Sequence, residues 1–272
     1  MLSELFQKLK KEFFIIAGPC VIENEHVCFE VAEHIKNICE IYGITYIFKS
    51  SFDKANRSSV LSYRGPGIDN GLKVLNNIKK LLGIPVLTDI HETYQIEKVL
   101  DVVDIIQIPA FLCRQTDLLI AAGKTGKPVN VKKGQFLSGY DMRNVVSKLE
   151  STGNREIILT ERGNMFGYNN LVVDMRNFSI MKSFNYPVIF DATHSVQLPG
   201  GQGACSGGNR EFVIPLASAS VAAGASGVFM EVHPEPDKAL CDGPNSLHLK
   251  DVEKVIKHLL NIFKVTQNRR LQ

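Results

Sequence analysis

Short apolar runs rich in β-branched residues recur about every 20 to 45 residues along the chain. They are FFIIAGPC (13–20), TYIFKS (45–50), PVLTDIH (85–91), IIQIPA (105–110), PVNVKK (128–133), EIILTER (156–162), PVIFDATH (187–194) and GVFMEVH (227–233). Continuous apolar runs of this length predict strands buried on both faces, as a parallel sheet requires. Each run also closes on side chains that can do chemistry: Cys20, Lys49, Asp89 and His91, Gln107, Lys132, Arg162, Asp191 and His194, Glu231 and His233. Eight strands carrying reactive groups at their C-terminal ends predict a (β/α)₈ TIM barrel whose mouth is an enzyme's active face.

Between the runs the apolar spacing turns helical. In Glu25 to Tyr42, Cys28, Val31, Ile35, Cys39 and Tyr42 fall on one face, a spacing that assigns both cysteines to the core. Leu72, Leu75, Ile78 and Leu82 predict a helix over Asn70 to Leu82, and Ile96, Val99, Leu100 and Val103 one over Thr93 to Val103. Further helices are predicted over Thr116 to Ala122, Gly139 to Ser151, Asn170 to Lys182, Glu211 to Ala223 and His248 to Phe263. An open doubly wound sheet is the competing architecture, but the first strand lacks the Gly-rich dinucleotide fingerprint.

Two loops break the rhythm. The stretch SFDKANRSSVLSYRGPGID follows Lys49, and HSVQLPGGQGACSGGNRE begins at His194. Both are polar and glycine-rich and follow strands two and seven at the predicted active face, where long loops bind substrate or act as lids.

Composition adjusts this picture little. The 272 residues lie near the roughly 250 of a single barrel domain, and no linker divides them. One domain spanning 1–272 is therefore expected, with 1–12 as an N-terminal extension. The formal charge of +3 comes from 31 basic residues spread along the chain. That dispersion argues against nucleic acid as a ligand. No apolar run reaches the roughly 18 residues of a membrane span. The N-terminus mixes acidic and basic residues without the apolar core of a secretion signal, so a cytoplasmic protein is expected. The six cysteines are then expected to be reduced.

Cys20, His194, Glu231 and Asp242 offer one thiolate, one imidazole and two carboxylates at or just beyond the ends of strands one, seven and eight, neighbours in a closed barrel. A mixed S, N and O set suits Fe(II), Zn²⁺, Mn²⁺ or Co²⁺ better than Mg²⁺ or Ca²⁺. The same four residues also read as a buried thiol, a hydrogen-bonded imidazole and two solvated acids. Lys49, Lys54, Arg57, Lys132 and Arg162 converge on the same mouth, where charge-assisted bonds hold phosphate or carboxylate groups. Because neighbours on a strand point to opposite sides, only one of Lys132 and Lys133 faces the axis.

The strings IAGPCVIE, FKSSFDKANRSS, SYRGPG, QIPAFLCRQTDL, NVKKGQF, RGNMFGYNNLVVDM, VIFDATHSVQ and FMEVHPEPDKALCDGP together resemble the 3-deoxy-D-manno-octulosonate 8-phosphate synthase family. The resemblance runs from about Phe13 to Leu260 and includes KANRSS, which separates this family from its aromatic-pathway cousins. It implies condensation of phosphoenolpyruvate with D-arabinose 5-phosphate in lipopolysaccharide core sugar synthesis, by a homotetramer with active sites near subunit interfaces. Carried over by position, Lys54, Lys132 and Arg162 hold phosphoenolpyruvate, with Gln107 and Ala110 lining its pocket. Asn56, Arg57 and Ser58 take arabinose 5-phosphate, with Arg57 reaching a neighbouring subunit's site, and Lys49 and Asp89 lie beside the reacting carbons.

Cys at position 20 resembles the metal-dependent group of that family, whose metal-independent members carry Asn there. The resemblance thus implies one divalent ion on Cys20, His194, Glu231 and Asp242, with Cys241 a structural residue or a neighbour of the ligands rather than a ligand, and His194 a ligand before it is a proton carrier. Two other enzymes stay open. One is a 3-deoxy-D-arabino-heptulosonate 7-phosphate synthase, against which KANRSS stands; the other is a metal-dependent phosphosugar aldolase on the same fold. A non-catalytic phosphosugar-binding barrel fits the full set of clamp and ligand residues poorly.

Overall fold

All eight apolar runs form strands: β1 (Phe14–Gly18), β2 (Thr45–Lys49), β3 (Val86–Asp89), β4 (Ile105–Ile108), β5 (Val129–Lys132), β6 (Ile157–Glu161), β7 (Val188–Asp191) and β8 (Gly227–His233). They are parallel, pair in chain order, and close through β8 and β1, where Phe14 stands opposite Gly227 and Gly18 opposite Glu231. The computed structural model describes residues 2–57, 59–199 and 207–268, and within them the chain is a (β/α)₈ barrel.

Nearly every strand residue is buried, because one face fills the barrel and the other packs under helices. The interior is not wholly apolar. Gln107, Asn130 and Thr160 form a chain in which Asn130 donates to Gln107 at 2.9 Å and Thr160 to Asn130 at 2.7 Å. All three are buried, so each bond offsets a desolvation cost that an unpaired amide or hydroxyl would leave standing. Close strand contact is also enforced by Gly18, where a Cβ would lie 2.1 Å from the Lys49 carbonyl oxygen. Only glycine fits there.

Nine α-helices are described: α1 (Glu4–Lys11), α2 (Glu25–Tyr42), α3 (Ile68–Leu82), α4 (Gln95–Val99), α5 (Thr116–Lys124), α6 (Met142–Glu150), α7 (Arg176–Lys182), α8 (Val213–Ala222) and α9 (Val252–Asn268). In α2 the expected face is the buried one, carrying Cys28, Val31, Ile35 and Cys39. The Asn24 side chain accepts from the Val27 N–H, and Gly43 ends the helix in the left-handed region at φ 64°, the usual glycine stop. The N-terminal segment is built into the barrel: Phe6 and Leu9 of α1 are fully buried, and Ser3 donates from both its backbone N–H and its hydroxyl to Glu156, just before β6. This fastens α1 at the N-terminal end, opposite the strand ends that carry the chemistry.

Four helices are shorter than their periodicity predicts; α6 and α8 lose only three or four residues at their ends, and the other two lose more. The one expected over 170–182 begins only at Arg176, because Leu171–Val172 pairs antiparallel with Asn164–Met165 and Asp174 accepts from the Arg176 N–H. The one expected over 93–103 is helical only from Gln95 to Val99. Beyond it the chain turns, and Asp104 carries the carboxylate that accepts from Val86 N–H and Lys79.

Candidate active site

The C-terminal strand ends enclose a cavity of about 730 Å³. Its wall carries Lys49, Lys54, Asn56, Arg57, Asp89, Gln107, Ala110, Lys132, Arg162, His194 and Asp242. Eleven of the fourteen sequence-predicted site residues therefore share one space. Two more, Cys20 and Glu231, are buried and joined to that wall through Asp242 and His194. Ser58 lies outside the described residues.

The loop after β2 folds over the mouth. Arg57 donates from Nε to the Tyr63 carbonyl and from Nη2 to the Leu240 carbonyl, each at 3.0 Å. That bond ties the KANRSS loop to the segment bearing Cys241 and Asp242. Of the second long loop, residues 200–206 lie outside the description; its described flanks pair as Gln197–Leu198 with Gly207–Gly208.

Burial governs the electrostatics. Lys49, Lys132 and Arg162 are 1%, 6% and 4% exposed, which strips each cation of water. Acids on neighbouring and next-neighbouring strands offset the cost. Lys49 Nζ stands 3.9 Å from Asp89 and 3.8 Å from Glu231, Lys54 Nζ 3.8 Å from Glu231, and Lys132 Nζ 2.5 Å from Asp191. Burial alone would raise the Asp89 and Glu231 carboxyls. Lys49 with His91, and His194 with Lys54, outweigh it and hold both below the usual carboxylate range. Burial depresses Lys132 and Arg162 despite Asp191 beside them.

Two features point to missing negative charge and missing positive charge. Arg162 gives one guanidinium nitrogen to Gln197 at 2.8 Å, while its buried Nη1 has no hydrogen-bond partner among the described residues. Such a donor fits an anion. Conversely, both carboxylate oxygens of Glu231 are buried and accept no hydrogen bond among the described residues, an arrangement that fits a bound cation. Donor atoms cluster there in two groups sharing Asp242: Cys20, Cys241 and Asp242, and His194, Glu231 and Asp242. Within them Cys20 Sγ is 3.3 Å from Asp242 Oδ2 and His194 Nε2 is 3.2 Å from Glu231 Oε1. Cys241 sits directly beside the cluster, with its sulfur 2.6 Å from that of Cys20. Burial and that neighbour push the Cys20 thiol well above its ordinary value.

Three polar residues with roles here carry no role in the sequence reading. Ser51 accepts from Lys49 at 2.9 Å and donates to Asp89 at 2.5 Å. Gln197 orients Arg162. Asp191, marked in the sequence only as a strand-end acid, meets both Lys132 and His194. The alternation of Lys132 and Lys133 is as predicted: Lys132 faces the cavity, 3.7 Å above the Phe229 ring. Lys133 is fully buried on the other side, 3.5 Å from Glu161 and bonded to the Leu137 carbonyl and Asn164. Glu161 in turn accepts from the backbone N–H groups of Arg162 and Gly163.

A closed parallel barrel whose mouth gathers buried cations beside a sulfur, imidazole and carboxylate cluster defines the class: a barrel enzyme acting on small anionic substrates. The chain belongs to the DAHP synthetase I family, which matches residues 9–268. It is 62% identical over 248 residues to the 2-dehydro-3-deoxyphosphooctonate aldolase of Geobacter sp. (strain M21), covering 91% of each chain. The proteins of the same name from Citrifermentans bemidjiense and Fusobacterium nucleatum are 62% and 58% identical, covering 90% and 95% of this chain and 90% and 93% of theirs.

The Lys133–Glu161 pair supports the strand ends and turns beside Lys132 and Arg162, so its loss is expected to be structural first. Lys133→Ala leaves a buried carboxylate uncompensated and is expected to lower unfolding free energy by about 3 to 5 kcal/mol. Denaturant titration measures this, and a loss below about 1 kcal/mol would show that the pair contributes little.

Proposed function

We propose that the protein condenses phosphoenolpyruvate with D-arabinose 5-phosphate and water, giving 3-deoxy-D-manno-octulosonate 8-phosphate and inorganic phosphate for the lipopolysaccharide core. The observation that carries this reading is one cavity lined by two separate sets of cationic and polar side chains, Lys132 with Arg162 at the ends of adjacent strands and Asn56 with Arg57 in KANRSS. The names borne by the relatives support the same substrates. The protein works in the cytoplasm as a homotetramer, in which Arg57 approaches a neighbouring subunit's site.

The reaction joins two anions, so charge must be offset before bonds form. Lys54, Lys132 and Arg162 take phosphoenolpyruvate, with Gln107 and Ala110 shaping its pocket. Asn56, Arg57 and Ser58 take the acceptor phosphate and direct the aldehyde inward. The enol carbon then attacks the aldehyde carbon and leaves the second carbon electron-poor. Water adds there, its proton is lost, and cleavage of the bond to phosphate oxygen yields the ketone. Lys49 and Asp89 flank these carbons, held in mutual register by Ser51, and exchange protons with the new hydroxyl and the attacking water.

Cys20, His194, Glu231 and Asp242 hold one divalent ion, Fe(II), Zn²⁺, Mn²⁺ or Co²⁺. The Glu231 oxygens, which accept no hydrogen bond among the described residues, and the mixed donor set support that assignment. What such an ion supplies when bound is Lewis acidity toward an aldehyde or water oxygen. His194 would help hold it, which would leave the imidazole a poor general base.

Phosphate release with phosphoenolpyruvate and each aldose phosphate in turn tests the function directly. Turnover with arabinose 5-phosphate and little with erythrose 4-phosphate is expected. Preference for erythrose 4-phosphate would make the chain a heptulosonate synthase, and activity without phosphoenolpyruvate would make it an ordinary aldolase.

Arg57→Ala is expected to raise the KM for arabinose 5-phosphate far more than that for phosphoenolpyruvate; equal increases in steady-state kinetics would refute the acceptor assignment. For the metal, exhaustive chelation is expected to abolish activity, with Fe(II), Mn²⁺, Co²⁺ or Zn²⁺ restoring it to different degrees. Cys20→Asn is expected to hold less metal by elemental analysis while retaining part of its turnover. Full activity in chelated wild type containing no metal would end the metal assignment.

A further inference from the structure

Asp191 closes β7 with a carboxylate that is 0% exposed and touches both halves of the site. Its Oδ2 accepts from Lys132 Nζ at 2.5 Å. The same carboxylate lies 2.8 and 2.9 Å from His194 Nδ1 through its two oxygens, and Oδ1 accepts from the His194 backbone N–H at 3.0 Å. Lys132 and His194 are themselves within 3.4 Å, too close for their positions to be independent. No other described acid accepts from both.

The consequence for the imidazole is a matter of proton placement. A carboxylate accepting at Nδ1 fixes the proton there and leaves the Nε2 lone pair directed at Glu231, 3.2 Å away, and Asp242, 3.8 Å away. Carboxylates placed behind a ligating histidine raise its basicity and fix its ring. For Lys132 the same carboxylate sets the ammonium over the Phe229 ring, 3.7 Å from its centroid, and the His194 ring stands 5.8 Å from that ring. One acid thus orients two groups across a shared aromatic floor.

We propose that Asp191 is the positioning residue that couples the metal site to the phosphoenolpyruvate clamp, by holding His194 for the ion and Lys132 for the substrate's anion at once. This inference rests on the metal and clamp assignments above. Because a single carboxylate serves both, displacement of either partner alters the seat of the other. Metal and phosphoenolpyruvate therefore bind with mutual dependence.

The test uses full-length protein stripped of metal, and calorimetry with Mn²⁺ or Co²⁺ in the absence and presence of phosphoenolpyruvate. Wild type is expected to bind metal more tightly with phosphoenolpyruvate present. Asp191→Ala removes both interactions, and a loss of about 10- to 100-fold in metal affinity is expected. Asp191→Asn keeps an acceptor for the imidazole N–H but presents no charge to Lys132. Its metal affinity is expected to exceed that of Asp191→Ala, while the dependence on phosphoenolpyruvate disappears.

A purely structural role predicts a different pattern, in which both variants lose thermal stability and metal affinity alike and Asn rescues nothing. That result would overturn the inference, as would wild-type metal affinity in Asp191→Ala. Wild type that binds no metal at all would instead remove the metal assignment, and this inference with it. Should Asp191→Ala fail to fold, Asp191→Asn against wild type still decides the matter, since persistence of the metal–phosphoenolpyruvate dependence in that variant refutes the coupling.

Discussion

The arrangement depends on one constraint: cations removed from water must have acids within a few ångströms. Lys49, Lys54, Lys132 and Arg162 gather at one end of the barrel, and Asp89, Asp191, Glu231 and Asp242 stand among them. Four charges of each sign leave the protein groups nearly balanced. A buried cation without its acid would surrender its proton or distort the fold, and a buried acid alone would do the reverse. The balance explains how a reactive set of this density survives in a folded protein. It also explains why the unsatisfied atoms are so informative: Arg162 Nη1 and the two Glu231 oxygens are where neutralisation among protein groups stops and a ligand of defined sign fits.

Barrel geometry makes that balance possible. Parallel pairing with regular register places Asp89 beside Gln107 and Lys132 beside Thr160, so strand ends far apart in sequence reach one level. At that level the Gln107–Asn130–Thr160 chain ties three strands by side-chain bonds, and α1 packs Phe6 and Leu9 into the core. The side facing away from the cavity carries its own polar support. Lys133, Glu161 and Asn177 lie behind β5 and β6 and anchor the turns after them, with no access to substrate. A two-residue alternation therefore separates a clamp lysine from a scaffold lysine.

Much of this was legible in the sequence because the strands are short and apolar and end abruptly in polar residues. Strand positions, the α2 face and the convergence of distant cations all follow from periodicity and the rule that strand ends share a mouth. What escaped depends on relations that periodicity does not carry. Ser51 and Gln197 are ordinary polar loop residues until folding brings Asp89 and Arg162 to them. Asp191 is visible as a strand-end acid, but its double attachment exists only because β5 and β7 bring Lys132 and His194 within reach of each other. The hairpin at 164–172 displaced a helical pattern because its residues found antiparallel partners, a tertiary outcome outranking local propensity. The expected 1–12 extension reads as a short amphipathic segment, and the residues that fold against the barrel, Phe6 and Leu9, lie on its apolar face.

The proposed chemistry gives the charge balance a functional sense. A site lined only with cations would bind anions tightly but equally in ground and transition states, which lowers KM without accelerating reaction. Interleaved acids moderate ground-state attraction and keep each cation in place. In the proposed reaction the enol carbon becomes electron-rich as it approaches the aldehyde, and the second carbon then becomes electron-poor. Charge of both signs must therefore be met within one turnover. Fixed, alternating groups on rigid strands meet it without reorganisation at the moment of reaction, and a ligand that shifts one member of the array shifts those bound to the same acid. Sharing of Asp191 between Lys132 and His194 is where that dependence is tightest, since both partners contact one fully buried carboxylate.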